Sequence, residues 1–331
     1  MNKRKKCLLA VLLTSIFISV GSNCAEHPNG EGYQSQKIVI NNGAAFAMPA
    51  MQLLMITGWL EEMLPEGVIV EWVDISGSTN ARDALITRQS DIGCIALPAL
   101  VLAIENGLPV TIMFGSVIQS GVLYSARPEI RHLDDLRDTD KIAILAMGST
   151  GHLALMITSK ELYGNVEEFN GNIVTMQHPD MLTTVETSDI LSGIIFGFPN
   201  TIRANRIPKL APIYDFSNVS KEYNLGHFIV ANEEFYSNNP VLIEIVNQAY
   251  RRAYDFIIGN PDEAAEMLVN VFNDIDVADI AWQLKEEPPF LKISESAYER
   301  VANLMYEVGM IPNPPKPFSS LPNYDSIPKV P

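Results

Sequence analysis

Short apolar runs rich in β-branched residues alternate with segments of helical spacing, and this alternation restricts the fold more than any other feature of the chain. The first four such runs are predicted strands, at residues 37–40, 68–73, 91–96 and 109–114. Segments with helical spacing follow three of them, at residues 48–64, 80–88 and 99–106. Strands that alternate with helices favour α/β layers on largely parallel sheets. In such sheets ligands bind beyond the carboxyl ends of the strands, where loops and helix starts converge.

A second unit of the same kind follows a change of composition near residue 125. Its predicted strands and helices lie at residues 142–146, 152–163, 173–176, 179–187 and 193–196. From residue 226 onward the composition predicts helices, and prolines mark several of their starts. The proline-rich tail after residue 312 is expected to wrap the surface. Two lobes of similar plan are therefore predicted.

Residues 1–23 form a different kind of segment. Four basic residues at positions 3–6 precede an apolar run at 8–20, and small or polar residues lead to Cys24. This order is typical of a secretory signal peptide, and the apolar run is short for a permanent bilayer span. Cys24 resembles the lipidated first residue of a bacterial lipoprotein. We expect an exported protein, in the periplasm or on the outer face of the cytoplasmic membrane, with either lipidation at Cys24 or ordinary cleavage nearby.

Charge and cysteine content argue against several classes of function. The formal net charge of −16 becomes −20 once the four cations of residues 1–23 are removed, because that segment holds no acidic residue. Such a surface disfavours nucleic-acid binding. The three cysteines exclude a disulfide framework, since Cys7 leaves with the signal and Cys94 lies in an apolar run. No Cys/His spacing is typical of a zinc site, so neither a metal nor a cofactor is expected.

The triplet Gly-Ser-Thr occurs twice, at residues 77–79 and 148–150, each time between an apolar run and a helix-like segment. Small loops at helix N-termini are places where backbone N–H groups bind anions. Neither triplet is followed by the lysine of a phosphate-binding P-loop, and neither lies in a G-x-G-x-x-G or G-x-S-x-G pattern. These absences disfavour nucleotide enzymes and serine hydrolases. The triplets are then either ordinary helix caps or two halves of one ligand site.

Residues 37–318 resemble the extracytoplasmic substrate-binding proteins of ABC importers in the nitrate/sulfonate/taurine group, which also includes binders of thiamine-precursor pyrimidines. The similarity is carried by the order of several short pieces: G-S-T-N-A-R-D-A-L at 77–85, E-N-G-L-P-V-T-I-M at 105–113, G-S-T-G-H-L-A-L at 148–155 and F-G-F-P-N at 196–200. The resemblance implies an α/β, two-lobed type II periplasmic-binding-protein fold. Each lobe would be a mixed sheet flanked by helices, with the ligand cleft at the hinge.

The resemblance also implies limits for the lobes and a function. The first lobe would contain residues 37–124 and 223–331, and the second residues 125–222. The protein would bind a small molecule (a sulfonate, another oxyanion or a pyrimidine-like compound) and deliver it to an ABC permease without chemistry. Two alternatives stay open. One is an enzyme on the same fold, similar to pyrimidine-precursor synthases, and the other is a surface lipoprotein without a small-molecule ligand.

Ten residues are candidates for ligand contact. They lie on the twin triplets and on other loops that follow strands: Asn42, Phe46, Ser78, Thr79, Leu97, Ser149, Thr150, His152, Phe198 and Asn200. For the triplets the alternative is simple N-capping, and for Phe46 it is a hydrophobic staple on the next helix. Phe46 and Phe198 would stack on a planar ligand. These loops contain no Asp or Glu, which disfavours a cationic substrate. Arg82 and Arg203 are candidate cations, although their predicted helical positions favour exposure.

Overall fold

The computed structural model describes residues 35–272 and 274–330, which form ten strands and twelve α-helices. The strands are β1 Lys37–Asn41, β2 Ile69–Val73, β3 Ile92–Ala96, β4 Val110–Ile118, β5 Gly121–Ser125, β6 Ile142–Ile144, β7 Ile173–Thr175, β8 Gly193–Gly197, β9 Ala211–Asp215 and β10 Gly226–Asn232. The helices are α1 Pro49–Thr57, α2 Ser78–Ile86, α3 Leu97–Glu105, α4 Thr150–Tyr163, α5 His178–Thr187, α6 Asn200–Asn205, α7 Ser217–Glu222, α8 Glu233–Asn238, α9 Pro240–Gly259, α10 Pro261–Leu268, α11 Val277–Glu286 and α12 Glu295–Glu307.

The strands form two five-stranded sheets of matching design. The first has the order β2-β1-β3-β10-β4 and the second the order β7-β6-β8-β5-β9. In each sheet three neighbouring strands are parallel, and an antiparallel strand follows them: β10 beside β3, and β5 beside β8. Both sheets are thus mixed and flanked by helices, which confirms the predicted fold class.

The chain passes from the first sheet to the second before β5. The strand β5 pairs with β8 and β9, so the chain makes this passage at residues 119–120, while the lobe limits at residues 124 and 222 stay a prediction. It returns to the first sheet at β10. We refer to residues 35–118 and 226–330 as the first lobe and to residues 121–222 as the second.

Two predictions of secondary structure were wrong for identifiable reasons. Residues 226–232 were expected to belong to a helical region but form β10, in which every residue is buried. A short apolar run gives no periodicity that separates a buried strand from a helix. The helix predicted at 48–64 ends at Thr57, because Gly58 adopts a left-handed conformation (φ 70°) and its N–H bonds back to the Leu54 carbonyl. This is a common way to end a helix.

Residues predicted to direct export lie outside the described part of the chain. The predicted signal peptide at 1–23 and the lipidation site at Cys24 both belong to this group. Among residues 35–272 and 274–330, no helix has the combination of length and apolar character that crossing a bilayer requires.

An aromatic pair is part of the buried contact between the long helix α9 and the first sheet. Tyr250 on α9 stacks on Phe114 of β4, with ring centroids 4.6 Å apart and planes inclined by only 2°. The Tyr250 hydroxyl also donates a hydrogen bond to the Gly115 carbonyl over 3.2 Å. Both rings are fully buried. The pair therefore combines apolar burial with satisfaction of a buried polar group.

Two substitutions at Tyr250 separate these contributions. We expect Tyr250→Phe to lower the free energy of unfolding by about 1 kcal/mol, because it removes one buried hydrogen bond. Tyr250→Ala should lower it by about 3–5 kcal/mol, because it also leaves a ring-sized cavity. Urea unfolding followed by circular dichroism measures both values. Equal effects of the two substitutions would contradict the stacking described above.

Candidate ligand-binding site

A cavity of about 400 Å³ lies between the two lobes and is lined by both. The first lobe contributes the loop before α2, the first turn of α2, residues of α3 and the start of β10. The second lobe contributes the loop between β6 and α4, the start of α5 and the end of β8. The lining therefore includes the carboxyl ends of parallel strands in both sheets, which is where ligands bind in α/β folds.

The first Gly-Ser-Thr triplet begins α2. Gly77 precedes the helix with φ 87°, a conformation that favours glycine. No side chain caps this helix, because its N-cap residue is Gly77, and the Ser78 hydroxyl accepts a hydrogen bond from the Ala96 N–H at the end of β3 (3.1 Å). The first N–H groups of an α-helix have no partner within the helix. The first turn of α2 thus brings uncapped N–H groups, and the positive end of the helix dipole, to the wall of the cavity.

The second triplet begins α4 in a related way. Gly148 has φ 74°, and Ser149 caps the helix by accepting a hydrogen bond from the His152 N–H (3.4 Å). The His152 Nδ1 accepts a second hydrogen bond from the Gly148 N–H, over 2.9 Å. Burial lowers the pKa of His152 to about 4, so the ring is neutral at neutral pH. The Ser149 hydroxyl and the His152 ring therefore hold this loop in place.

Four of the ten predicted contact residues line the cavity, and they are the serines and threonines of the two triplets: Ser78, Thr79, Ser149 and Thr150. His152 lies directly behind the lining and supports it. Asn200 does the same from another side, with its side-chain amide 3.0 Å from Nδ1 of the lining residue His178. Leu97 is fully buried in the core. The Asn42 carbonyl accepts a hydrogen bond from Gln52 of α1 and attaches that helix to the end of β1.

The two predicted stacking rings, Phe46 and Phe198, are not among the described residues that line this cavity. Phe46 and Phe198 contact each other edge to face, with centroids 4.2 Å apart. Phe46 also stacks on Phe272, the residue before the described part of the chain is interrupted. Aromatic rings gain much from burial against one another, and these three form an apolar contact between the lobes. No Phe, Tyr or Trp is among the described residues that line the cavity.

Seven polar residues line the cavity without being among the ten predicted contacts: Ser76, Asn80, Arg82, Gln119, Gln177, His178 and His227. Arg82 is on the first turns of α2, and its Nε and Nη2 both donate to Asp83 Oδ1, at 2.9 and 2.7 Å. Its side chain is only 23% exposed, although exposure was favoured for it. Its position one turn after the triplet could have predicted contact with the cavity, because residues three to four apart share a helix face. His227 was not predicted because it lies in β10, which was not predicted as a strand.

The described residues that line the cavity carry no negative charge. Among the described residues that line it there is no Asp or Glu, and Arg82 is the one lysine or arginine. Burial lowers the pKa of His227 to about 4, and burial with the nearby Arg203 also lowers the pKa of His178. Both rings are therefore neutral donors or acceptors. No cluster of three or more His, Cys, Asp or Glu suited to a metal ion occurs in residues 35–272 and 274–330.

A family model described as NMT1/THI5 like matches residues 57–264, which is more than half of the chain. The chain belongs to the NMT1/THI5-like family. The matched residues include both Gly-Ser-Thr triplets and most of the cavity lining. A search of curated proteins finds no match.

Solved structures show the fold of this NMT1/THI5-like protein independently. The alkanesulfonate-binding protein SsuA from Xanthomonas axonopodis pv. citri, bound to MOPS, is 15% identical with a TM-score of 0.69, over 85% of this chain and 96% of that one. The periplasmic aliphatic sulphonate-binding protein SsuA from Escherichia coli is 17% identical with a TM-score of 0.68, over 87% and 91%. A ligand-binding component of an ABC-type import system from Staphylococcus aureus, with zinc bound, is 14% identical with a TM-score of 0.70, over 89% and 100%.

The buried neutral histidines predict a loss of stability in acid. The folded-state pKa values of His152 and His227 are about 4, below the ordinary 6.5, so the unfolded chain takes up protons first as the pH falls. Their contribution is complete above pH 6.5 and is lost as the pH falls toward 4. Between about pH 7 and pH 5 each histidine should remove about 2 kcal/mol from the free energy of unfolding.

Urea unfolding at both pH values tests this expectation. His227→Gln should lose about 2 kcal/mol less than the wild type between the two pH values, and His152→Asn should behave similarly. The comparison between variants removes the contribution of carboxylates, which all three proteins share. An unchanged pH dependence in both variants would show that the rings are not held neutral by burial.

Proposed function

We propose that this NMT1/THI5-like protein is the solute receptor of an ABC import system and binds a small oxyanion that carries a short aliphatic part. The observation that carries the proposal is the acid-free cavity between the lobes, where the starts of α2 and α4 both form part of the wall. Each helix N-terminus acts as roughly half a positive charge. Two of them beside Arg82 favour an anion strongly over a cation.

The remaining lining favours an aliphatic partner for that anion. Apolar side chains complete the wall beside the polar loops: Leu102, Ile144, Met147 and Ile195. Because the described lining residues include no Phe, Tyr or Trp, a flat heterocycle finds no large apolar ring to stack on there. The volume of about 400 Å³ lies within the usual range for small-molecule sites. A short alkanesulfonate meets all of these conditions.

The comparisons support the same class of ligand. Two of the solved structures that share the fold are described as alkanesulfonate- or aliphatic-sulphonate-binding proteins, and one holds MOPS, which is itself a sulfonate. At such low sequence identity the similarity shows the fold but not the ligand. The sulfonate is therefore proposed from the chemistry of the cavity. Export through the segment at residues 1–23, with lipidation at Cys24 as one form of anchoring, is part of the same proposal.

Binding would act through the relative position of the lobes. A ligand that contacts both helix starts does so fully only when the lobes are close, so it shifts the population toward the closed form. The closed form would be the one that an ABC permease accepts. This mechanism requires differential affinity of the ligand for the two forms and no covalent step.

A thermal-shift screen of the purified exported protein tests the proposal. We expect MOPS and short alkanesulfonates to raise Tm, because a ligand at about 100 times its Kd stabilises the native state by about 3 kcal/mol. A polyamine serves as the cationic control and a pyrimidine as the aromatic alternative. A shift with the pyrimidine and none with any sulfonate or other oxyanion would contradict the proposed class. It would favour a pyrimidine-related role.

Substitutions in α2 test the site itself. Arg82→Gln should weaken binding of the best sulfonate by about ten- to hundredfold, because it removes a charge-assisted hydrogen bond. Arg88→Gln is the matched control, since Arg88 follows the same helix but pairs with Glu234 away from the cavity. Thr79→Trp should abolish binding by filling the space in front of the helix. Isothermal titration calorimetry provides the affinities, and equal affinities of Arg82→Gln and Arg88→Gln would contradict the assignment.

A further inference from the structure

Two arginines of the second lobe, Arg203 on α6 and Arg206 directly after it, bind a row of carboxylates in the first lobe. Arg203 donates from Nε and Nη2 to the two Asp274 carboxylate oxygens, at 2.6 and 2.8 Å. Arg206 donates to the Asp274 carbonyl (2.9 Å) and to the carboxylates of Asp276 (3.0 Å) and Asp279 (3.3 Å). We call these five residues the α6 latch. Its Arg203–Asp274 pair is bidentate, the geometry in which an exposed ion pair is most specific.

The lobes are joined differently at α12. There, apolar side chains of α3, α4 and α12 belong to one buried cluster that includes residues of both lobes. Two exposed ion pairs, Lys160–Glu307 and Arg300–Glu222, accompany that buried contact. At the α6 latch the polar contacts are half-exposed and rest on charge. Exposed ion pairs are weakened by salt far more than apolar contacts are. Salt should therefore weaken the α6 latch more than it weakens the buried contact at α12 or the apolar contact of Phe198 with Phe46 beside the latch.

A chain of hydrogen bonds connects the α6 latch to the cavity. Arg203 Nη1 donates to Asn200 Oδ1 over 2.7 Å, and the Asn200 amide nitrogen lies 3.0 Å from His178 Nδ1. Because a guanidinium can only donate, Arg203 fixes which end of the Asn200 amide carries the oxygen. The Asn200 NH₂ group then faces His178 and must donate to Nδ1. His178 is neutral, so its single proton is on Nε2.

We propose that Arg203 is a positioning residue, which fixes His178 as an Nε2–H donor toward a bound anion and at the same time closes the α6 latch. The proposal rests on the proposed oxyanion site. Its consequence is that ligand contact at His178 and closure of the lobes favour the same arrangement of Arg203. Arg206 contributes to the closure alone, because it has no contact with Asn200 or His178 among the hydrogen bonds of the described residues.

Two measurements without any ligand test the proposal, so that their failure is separate from failure of the receptor role. Small-angle X-ray scattering at about 0.01 M salt should give a larger radius of gyration for Arg203→Gln and for Arg206→Gln than for the wild type. At about 1 M salt, where the Debye length is about 3 Å, the wild type should expand toward the variants. Lys209→Gln is the matched control, since Lys209 pairs with Asp189 inside the second lobe.

Nitrogen NMR of the imidazoles distinguishes the positioning role from closure. In the wild type and in Arg206→Gln, His178 should be protonated on Nε2 and unprotonated on Nδ1. In Arg203→Gln the tautomers should mix, and the His178 pKa should rise because a nearby cation is removed. Arg206→Gln should weaken the binding of MOPS by about three- to tenfold. Arg203→Gln should weaken this binding by a larger factor.

Three outcomes would overturn the proposal. A wild-type His178 protonated on Nδ1 would remove the link between the α6 latch and the cavity. Identical scattering of the wild type and both arginine variants at low salt would remove the latch itself. Expansion of Lys209→Gln by as much as the arginine variants would assign the effect to general charge and not to these contacts.

Discussion

The rest of the site depends on the unpaired backbone N–H groups at the first turn of α2, which are free to bind a ligand. They lack partners within the helix, whose N-cap residue Gly77 has no side chain, and the Ser78 hydroxyl is bound to the end of β3. Leaving N–H groups of this kind unsatisfied costs free energy unless water or a ligand takes the place of the cap. The start of α4 faces the same cavity from the other lobe, behind a glycine in the same unusual conformation. Two sheets of the same design place these two helix starts together.

The preference of the cavity for an anion depends on where charges lie and not on the net charge of the chain. The chain carries a formal charge of −16, yet the described residues of its cavity include no carboxylate. The histidines beside it are held neutral by burial, which leaves Arg82 and the helix N-termini as the sources of positive potential. A low-dielectric wall strengthens such a local field, while salt screens the acidic exterior. An anion site and an acidic surface are therefore compatible. The acidic first-lobe residues of the α6 latch pair with arginines of the second lobe.

The sequence predicted the parts of this arrangement that depend on local chemistry. Alternating strands and helices predicted α/β layers, and the family resemblance implied the two mixed sheets. The Gly-Ser-Thr triplets predicted four of the five hydroxyl residues of the described lining, because glycine conformation and helix starts are decided within a few residues. It did not predict β10, whose burial depends on pairing with β3 and β4 on either side. It also assigned Phe46 and Phe198 to the ligand, whereas their partner Phe272 lies more than seventy residues further along the chain. Contacts between distant segments leave no local pattern from which they could be read.

One ligand should engage the starts of α2 and α4 together. Backbone amide NMR of the isotope-labelled protein during a titration with MOPS measures this. We expect the amide signals of residues 78–80 and of residues 150–151 to shift in the same titration, with the same apparent Kd. Shifts confined to one of these two helix starts, or to the neighbourhood of Phe198, would contradict it.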